Sequence, residues 1–126
     1  MQIMHTAENE KVIEFLKKNH ANKEQVDLSE ASFWCAAVVD NRVVGVVGVR
    51  IGKYADRIKG FFVEENMRHR GVGTALLTDA MKYTRADRVT AYCTRNSEPL
   101  FIRAGFVVTR EQNKYGISFT EWRKQS

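Results

Sequence analysis

The sequence predicts an α/β fold, a mixed sheet with helices on its faces. Valine-rich runs of strand length alternate with segments whose apolar residues recur at helical spacing. Two of those runs, FWCAAVV and RVVGVVGVRIG, are separated only by Asp40-Asn41, a hairpin signal. The chain holds no repeat, no low-complexity stretch and one proline, so no linker divides it. Its 126 residues are enough for one domain, 1–126, with its own core.

Each element has its own signal. Gln2 to His5 reads as a short strand. Thr6 is placed to cap a helix with Glu8 and Glu10 in its first turn. Its apolar face is Val12, Ile13, Phe15 and Leu16, and Lys17 and Lys18 sit where the helix dipole favours cations. Ala21 to Ser32 is polar and irregular, with room for one short helical turn. After the hairpin, RIKGFFV (Arg57 to Val63) is a further strand. It runs into VEENMRHRGVGTALL, where Val72, Leu76, Leu77, Ala80 and Met81 mark one helical face ending near Tyr83. RVTAYCT, Arg88 to Thr94, alternates as a strand. Ser97 is expected to cap a short helix with Pro99 in its first turn, where a missing N–H costs nothing. That helix ends at Gly105, and FVVTR and YGISFTEW close the chain as a hairpin around QNK. The predicted order is β-α-β-β-β-α-β-α-β-β.

Lys and Arg number 20 against 15 Asp and Glu, a net charge of +5. That excess favours an anionic partner. No run of basic residues interleaved with aromatics appears, so a polyanionic small molecule satisfies the charge as well as DNA does. The longest apolar runs, near Phe33–Val39 and Val43–Val49, are too short to span a bilayer, and MQIMHTAENEKV lacks the pattern of a signal peptide. Cys35 and Cys93 lie in strand-like runs without metal spacing, as buried free thiols of a reducing compartment do. His5 and His20 likewise have no partners at metal spacing. A cytoplasmic protein without membrane contact is expected.

The chemistry concentrates at Gly71 and Gly73. Glycine inside a helix costs about 1 kcal/mol relative to alanine, so a pair at a helix mouth serves a turn or a close approach. A helix N-terminus exposes unpaired N–H groups and a partial positive charge. Strand–Gly-x-Gly–helix therefore describes either a tight turn or a phosphate cradle, with the N–H groups of Arg70 to Thr74 converging and Arg68 and Arg70 adding charge. Leu76 stands where a dinucleotide fingerprint needs its third glycine, and the Gly-Lys-Ser/Thr of a P-loop is missing.

The stretch does resemble motif A of the GCN5-related N-acetyltransferases, Arg/Gln-x-x-Gly-x-Gly/Ala, filled by Arg68, Gly71 and Gly73 with Val63 leading in. NSEPLFIRAGF continues the likeness: Asn96, a short helix, then Gly105 and Phe106 at the start of the next strand. The resemblance runs over essentially the whole chain. It implies a GNAT fold of α/β (α+β) class, a mixed, mostly antiparallel sheet splayed between strands 4 and 5 with helices on both faces. It implies acetyl-CoA as cosubstrate: main-chain contacts from Phe62 and Val63, pyrophosphate contacts from Arg68, His69, Arg70, Gly71, Val72, Gly73 and Thr74, and a contact from Asn96. The implied reaction is direct acetyl transfer to an amine of a protein or a small molecule.

One departure bears on the chemistry. Many members carry a tyrosine four residues before the Gly-Phe pair, and this chain has Phe101, which cannot donate a proton. Tyr92 and Ser97 are the candidate donors, with Cys93 behind them; Glu64 and Glu65 are candidate bases, Glu65 replacing the family's usual proline. Trp34 and Trp122 either line an acceptor pocket or belong to the core. The short Ala21–Ser32 segment implies an open acceptor site, suited to a group presented on a macromolecule. A nucleic-acid-modifying enzyme and a catalytically silent CoA-binding or interaction protein are the alternatives, and pairing of the terminal hairpin with a second copy is an expectation from the fold.

Overall fold

The computed structural model describes residues 1–125. β1 (Gln2–Thr6), β2 (Phe33–Val39), β3 (Arg42–Arg50) and β4 (Asp56–Val63) form an antiparallel run. β5 (Arg88–Cys93) joins β4 in parallel, and β7 (Ser118–Arg123) and β6 (Val107–Arg110) complete a seven-stranded sheet of order β1-β2-β3-β4-β5-β7-β6. The single parallel pair follows from the chain between its strands. That segment holds the helix α2 (Val72–Met81), and a helical crossover returns the chain in the same direction.

Helices cover both faces. α2 and α3 (Glu98–Arg103) lie on one, where Leu76, Leu77, Ala80 and Phe101 pack with Val47, Ile58 and Ala91 in the larger core. α1 (Asn9–Lys18) covers part of the other, where Val12 and Leu16 meet Trp34, Val46 and Phe62. On that second face no helix among the described residues covers β5, β7 and β6, and Tyr92 and Val107 remain 51% and 66% exposed.

The expected hairpin is present. Asp40 and Asn41 have φ of 51° and 61°, as a primed two-residue turn requires. The short helical turn falls at Ala21–Glu24. Two caps differ from expectation. The Thr6 hydroxyl accepts the N–H of Glu8 ahead of the helix, and α1 begins at Asn9 without a side-chain cap. The Ser97 oxygen turns back to the N–H of Thr94 at 3.0 Å, so it closes the loop before α3 rather than capping it. His5, partnerless in sequence, meets Asp79 of α2 at 2.6 Å and ties edge strand β1 to that helix. Burial, with the Asp79 carboxylate alongside, pushes the Cys35 thiol there up to about 12.

Asp56 fixes the closed end of the β4–β5 pair. Only 1% exposed, its carboxylate accepts N–H groups from Gly52, Arg85 and Ala86. One side chain thus fastens the β3–β4 connection and the entry to β5 to the start of β4. Burial alone would raise its pKa; the backbone N–H bonds outweigh it and hold the group below 3.8. A depressed carboxylate stabilises above its unfolded pKa and loses that contribution as pH falls through the folded value. Asp56→Ala, which orphans three buried N–H groups, is expected to cost about 3 kcal/mol in urea unfolding at pH 7. Asp56→Asn should cost less, and its deficit relative to wild type should shrink below about pH 4; a deficit unchanged in acid would show that the charge is irrelevant.

Candidate active site

β4 and β5 pair only where Asp56, Arg57 and Ile58 face Val89, Thr90 and Ala91. Beyond Ile58 the strands part, leaving the β5-side edge of Lys59 to Val63 without a strand neighbour. The parting begins at a bulge. β3 pairs Gly48 with Lys59 and then Val46 with Phe62, so two residues of β4, Gly60 and Phe61, stand against one of β3. Gly60 has φ of 60°, and a Cβ there would lie 2.7 Å from the Trp34 ring. Both the left-handed backbone and the indole behind it demand glycine.

The free edge leads into the glycine turn. Gly71 has φ of 84° at the N-cap of α2, and a Cβ there would meet nothing within 4 Å. Gly73 is required by packing, since its Cβ would come within 3.0 Å of Phe61 and 3.3 Å of Leu100. The first bond of α2 runs from the Ala75 N–H to the Gly71 carbonyl, so the N–H groups of Val72, Gly73 and Thr74 have no partner within the helix. A cavity of about 330 Å³ opens over them. It is lined by Phe62, Val63, Arg68, His69, Gly71, Gly73, Thr74 and Asn96 of the sequence-predicted residues. Arg70 is exposed outside that lining, and Val72 is buried in the core, so its offer to the cavity is its N–H.

Arg68 is engaged otherwise than the motif suggests. Its Nε donates to the Val63 carbonyl at 2.8 Å, and one Nη lies 2.9 Å from both carboxylate oxygens of Glu24. Asn96 reaches the same carboxylate at 3.4 Å. Glu24, from the turn after α1, therefore bridges the two walls of the cleft. Arg103 lines the cavity with no carboxylate partner among the described residues.

A second cavity of about 250 Å³ continues from the first. The two share Val26, Phe61, Thr94 and Ser97, which mark their junction. Lys59 lines the second cavity; its ammonium donates to the Ser29 carbonyl at 2.6 Å with Asp27 at 3.5 Å, and burial lowers its pKa. Of the candidate acid–base residues, Ser97 lies at the junction; Tyr92 lines the second cavity, its hydroxyl accepting a bond from Arg57 at 2.8 Å on the open sheet face. Glu64 pairs with Arg42 at 2.5 Å and Glu65 is exposed in a 3₁₀ turn; neither lines either cavity. Cys93 faces the core, its thiol pushed up by burial to about 11. Phe101 is 2% exposed, edge-on to Phe61 and Phe106. Trp34 is fully buried behind the bulge, and Trp122 packs against the larger core and Gly105. Glu24, Lys59, Thr94 and Arg103 line the two cavities and carry no motif. Only the basic character of Lys59 and Arg103 signals them in sequence.

A free strand edge ending in a helix N-terminus fits a ligand with an amide-bearing arm and a diphosphate. The chain matches the acetyltransferase (GNAT) domain over residues 3–126 and belongs to that family. Its fold is the GNAT fold, and coenzyme A is the ligand class such a cleft takes. Comparison with curated protein sequences gives no significant match. Among solved structures, it is similar to Escherichia coli ElaA, with 12% identity, coverage of 97% and 99% of the two chains and a TM-score of 0.78. Rv2747 from Mycobacterium tuberculosis, crystallised with CoA, has 13% identity, coverage of 99% and 100% and a TM-score of 0.75. N-acetylglutamate synthase from Neisseria gonorrhoeae, complexed with coenzyme A and L-arginine, has 14% identity and a TM-score of 0.71, matching 98% of this chain and 34% of its own. No helix among the described residues is long and apolar enough to cross a membrane.

Coenzyme A at a hundred times its dissociation constant should add about 2.7 kcal/mol and raise the thermal midpoint by several degrees. Gly71→Glu, which strains a left-handed residue by about 1–2 kcal/mol and sends a carboxylate into the cradle, should fold with a lower midpoint and lose that response. Gly71→Asn, which tolerates the same backbone, should keep it. A response surviving in Gly71→Glu would place the diphosphate elsewhere.

Proposed function

We propose that this protein is an acetyl-CoA-dependent N-acetyltransferase that passes the acetyl group directly to a primary amine. The observation that carries the reading is the junction: the coenzyme cleft and the second cavity meet at Phe61, Thr94 and Ser97. Direct transfer needs thioester carbon and amine nitrogen within about 3–3.5 Å, and two cavities that share one wall support such an approach. Bound acetyl-CoA supplies the activated acyl group. The amine nitrogen forms the new bond to the acetyl carbon, the carbon–sulfur bond breaks, and the sulfur takes up a proton.

The protein's own residues bind and orient. The N–H groups of Val72 to Thr74 would hold the diphosphate, and the free edge of β4 would take the amide-bearing arm. At the junction the Ser97 and Thr94 hydroxyls lie 3.3 Å apart, with the Ser97 oxygen fixed by the Thr94 N–H. Either hydroxyl can donate a hydrogen bond to the departing sulfur. An alkylammonium near pKa ~10.4 must lose a proton before it attacks. Asp27, at the mouth of the second cavity, is a poor base: burial would raise its pKa, yet bonds from Ser29 and the Lys59 charge hold it below 3.8. Glu24, the other carboxylate lining the two cavities, is bonded to Arg68 and Asn96, so solvent is the proton acceptor in this reading. A catalytically silent coenzyme-binding protein is the second reading, favoured by Phe101 being packed into the core where a tyrosine donor is usual.

With this assignment, log kcat/KM for the acceptor should climb with slope 1 from pH 6 toward the amine's own pKa, since no enzyme base takes the proton. Ser97→Ala should lower kcat about tenfold and leave the KM for acetyl-CoA unchanged. A plateau near pH 7 would reveal a base in the enzyme. Absence of turnover with every amine in a protein that binds coenzyme A would favour the silent reading.

A further inference from the structure

Two pairs of arginines face each other across the sheet. Arg88 of β5 lies directly opposite Arg123 of β7, and Arg50 of β3 lies directly opposite Arg57 of β4. Residues directly opposite in an antiparallel pair share a face, and like charges there repel. The first pair is compensated, because Glu121 pairs with both Arg88 and Arg123. The second has no such partner: among the described residues no carboxylate pairs with Arg50 or Arg57. Arg57 instead lies over the Tyr92 ring at 4.3 Å and donates to the Tyr92 hydroxyl at 2.8 Å. Those contacts orient the guanidinium and leave its charge uncompensated.

The position of this pair gives it a role. Arg57 lines the second cavity and also the open trough beyond it on the uncovered sheet face, where Arg50 and Arg110 stand. Arg57 precedes the junction residue Phe61 by four positions, at most roughly 13 Å along a strand. Resting on the N-acetyltransferase reading above, we propose that the acceptor is a small amine bearing an oxyanion, a carboxylate or phosphate, bound between Arg50 and Arg57 while its amine reaches the junction. Two guanidinium groups on one face match an oxyanion through charge-assisted hydrogen bonds. The second cavity, about 250 Å³, suits a molecule of amino-acid size. A nucleic acid strand fits less well. It needs a track of free cations, and Glu121 already engages Arg88 and Arg123.

The test uses the intact protein with acetyl-CoA, following release of free thiol. Glutamate, 4-aminobutyrate and O-phosphoethanolamine are compared with butylamine and ethanolamine. The proposal expects an acidic amine to be the better substrate, and the carboxylate and phosphate arms identify the oxyanion. Arg50→Gln/Arg57→Gln should raise the acceptor KM about 10–100-fold and leave the thermal response to coenzyme A unchanged. If no amine turns over, calorimetry of the same amines on the coenzyme-A-loaded protein decides. Binding of an acidic amine that the double variant loses upholds the site even though the transferase reading fails, and absence of binding overturns it. A preference for the uncharged amines overturns it, as does an acidic preference that survives the double variant. Tight, salt-dependent binding of a single-stranded oligonucleotide in place of the small acids also overturns it, in favour of a nucleic-acid acceptor.

Discussion

The site depends on β4 and β5 being held together at one end and apart at the other. Parallel neighbours ordinarily continue pairing, because each unpaired N–H and C=O must find another partner. Here Asp56 pins the closed end by gathering three backbone N–H groups onto one buried carboxylate. The Gly60 bulge then bends β4 out of register with β3 before the strands can rejoin. The open end exposes backbone of β4 on one wall and the Thr94–Ser97 turn on the other. The divergence leaves one edge of β4 free, beside the unpartnered N–H groups at the start of α2.

Much of this was legible in the sequence. Strand and helix order follow from hydrophobic period, and the Asp40-Asn41 turn lies where a two-residue link demands positive φ. The glycine turn is legible as a strand-to-helix connection, and its two glycines turn out to serve different structural needs. Gly71 adopts a backbone closed to most residues, and Gly73 makes room for Phe61. The bulge was hidden: a glycine in RIKGFFV reads as a weak strand residue, and only the ring of Trp34 behind it shows why it is there. Glu24 was hidden for a different reason. Its partners Arg68 and Asn96 lie 44 and 72 residues away, and a glutamate in a polar loop carries no local pattern.

The acid–base chemistry was the least legible part. Sequence proximity favours Glu64 and Glu65, but the strand end turns Glu64 toward Arg42 and leaves Glu65 in solvent. The β alternation that sends Cys93 into the core sends Tyr92 to the opposite face, where it becomes a platform for Arg57. What remains at the junction is a pair of hydroxyls, Thr94 and Ser97, and the latter looks in sequence like an ordinary helix cap.

Trp34 lines neither cavity, yet its indole is the wall against which β4 buckles. The same ring is anchored by the Asn9 side chain at the start of α1, which also holds the N–H of Ala31. One indole thus touches both the seat of the first helix and the bulge where β4 leaves β5. A drift in how α1 seats on the sheet would be transmitted through the indole to the bulge. In this small domain the far side of the sheet gauges the aperture of the active site.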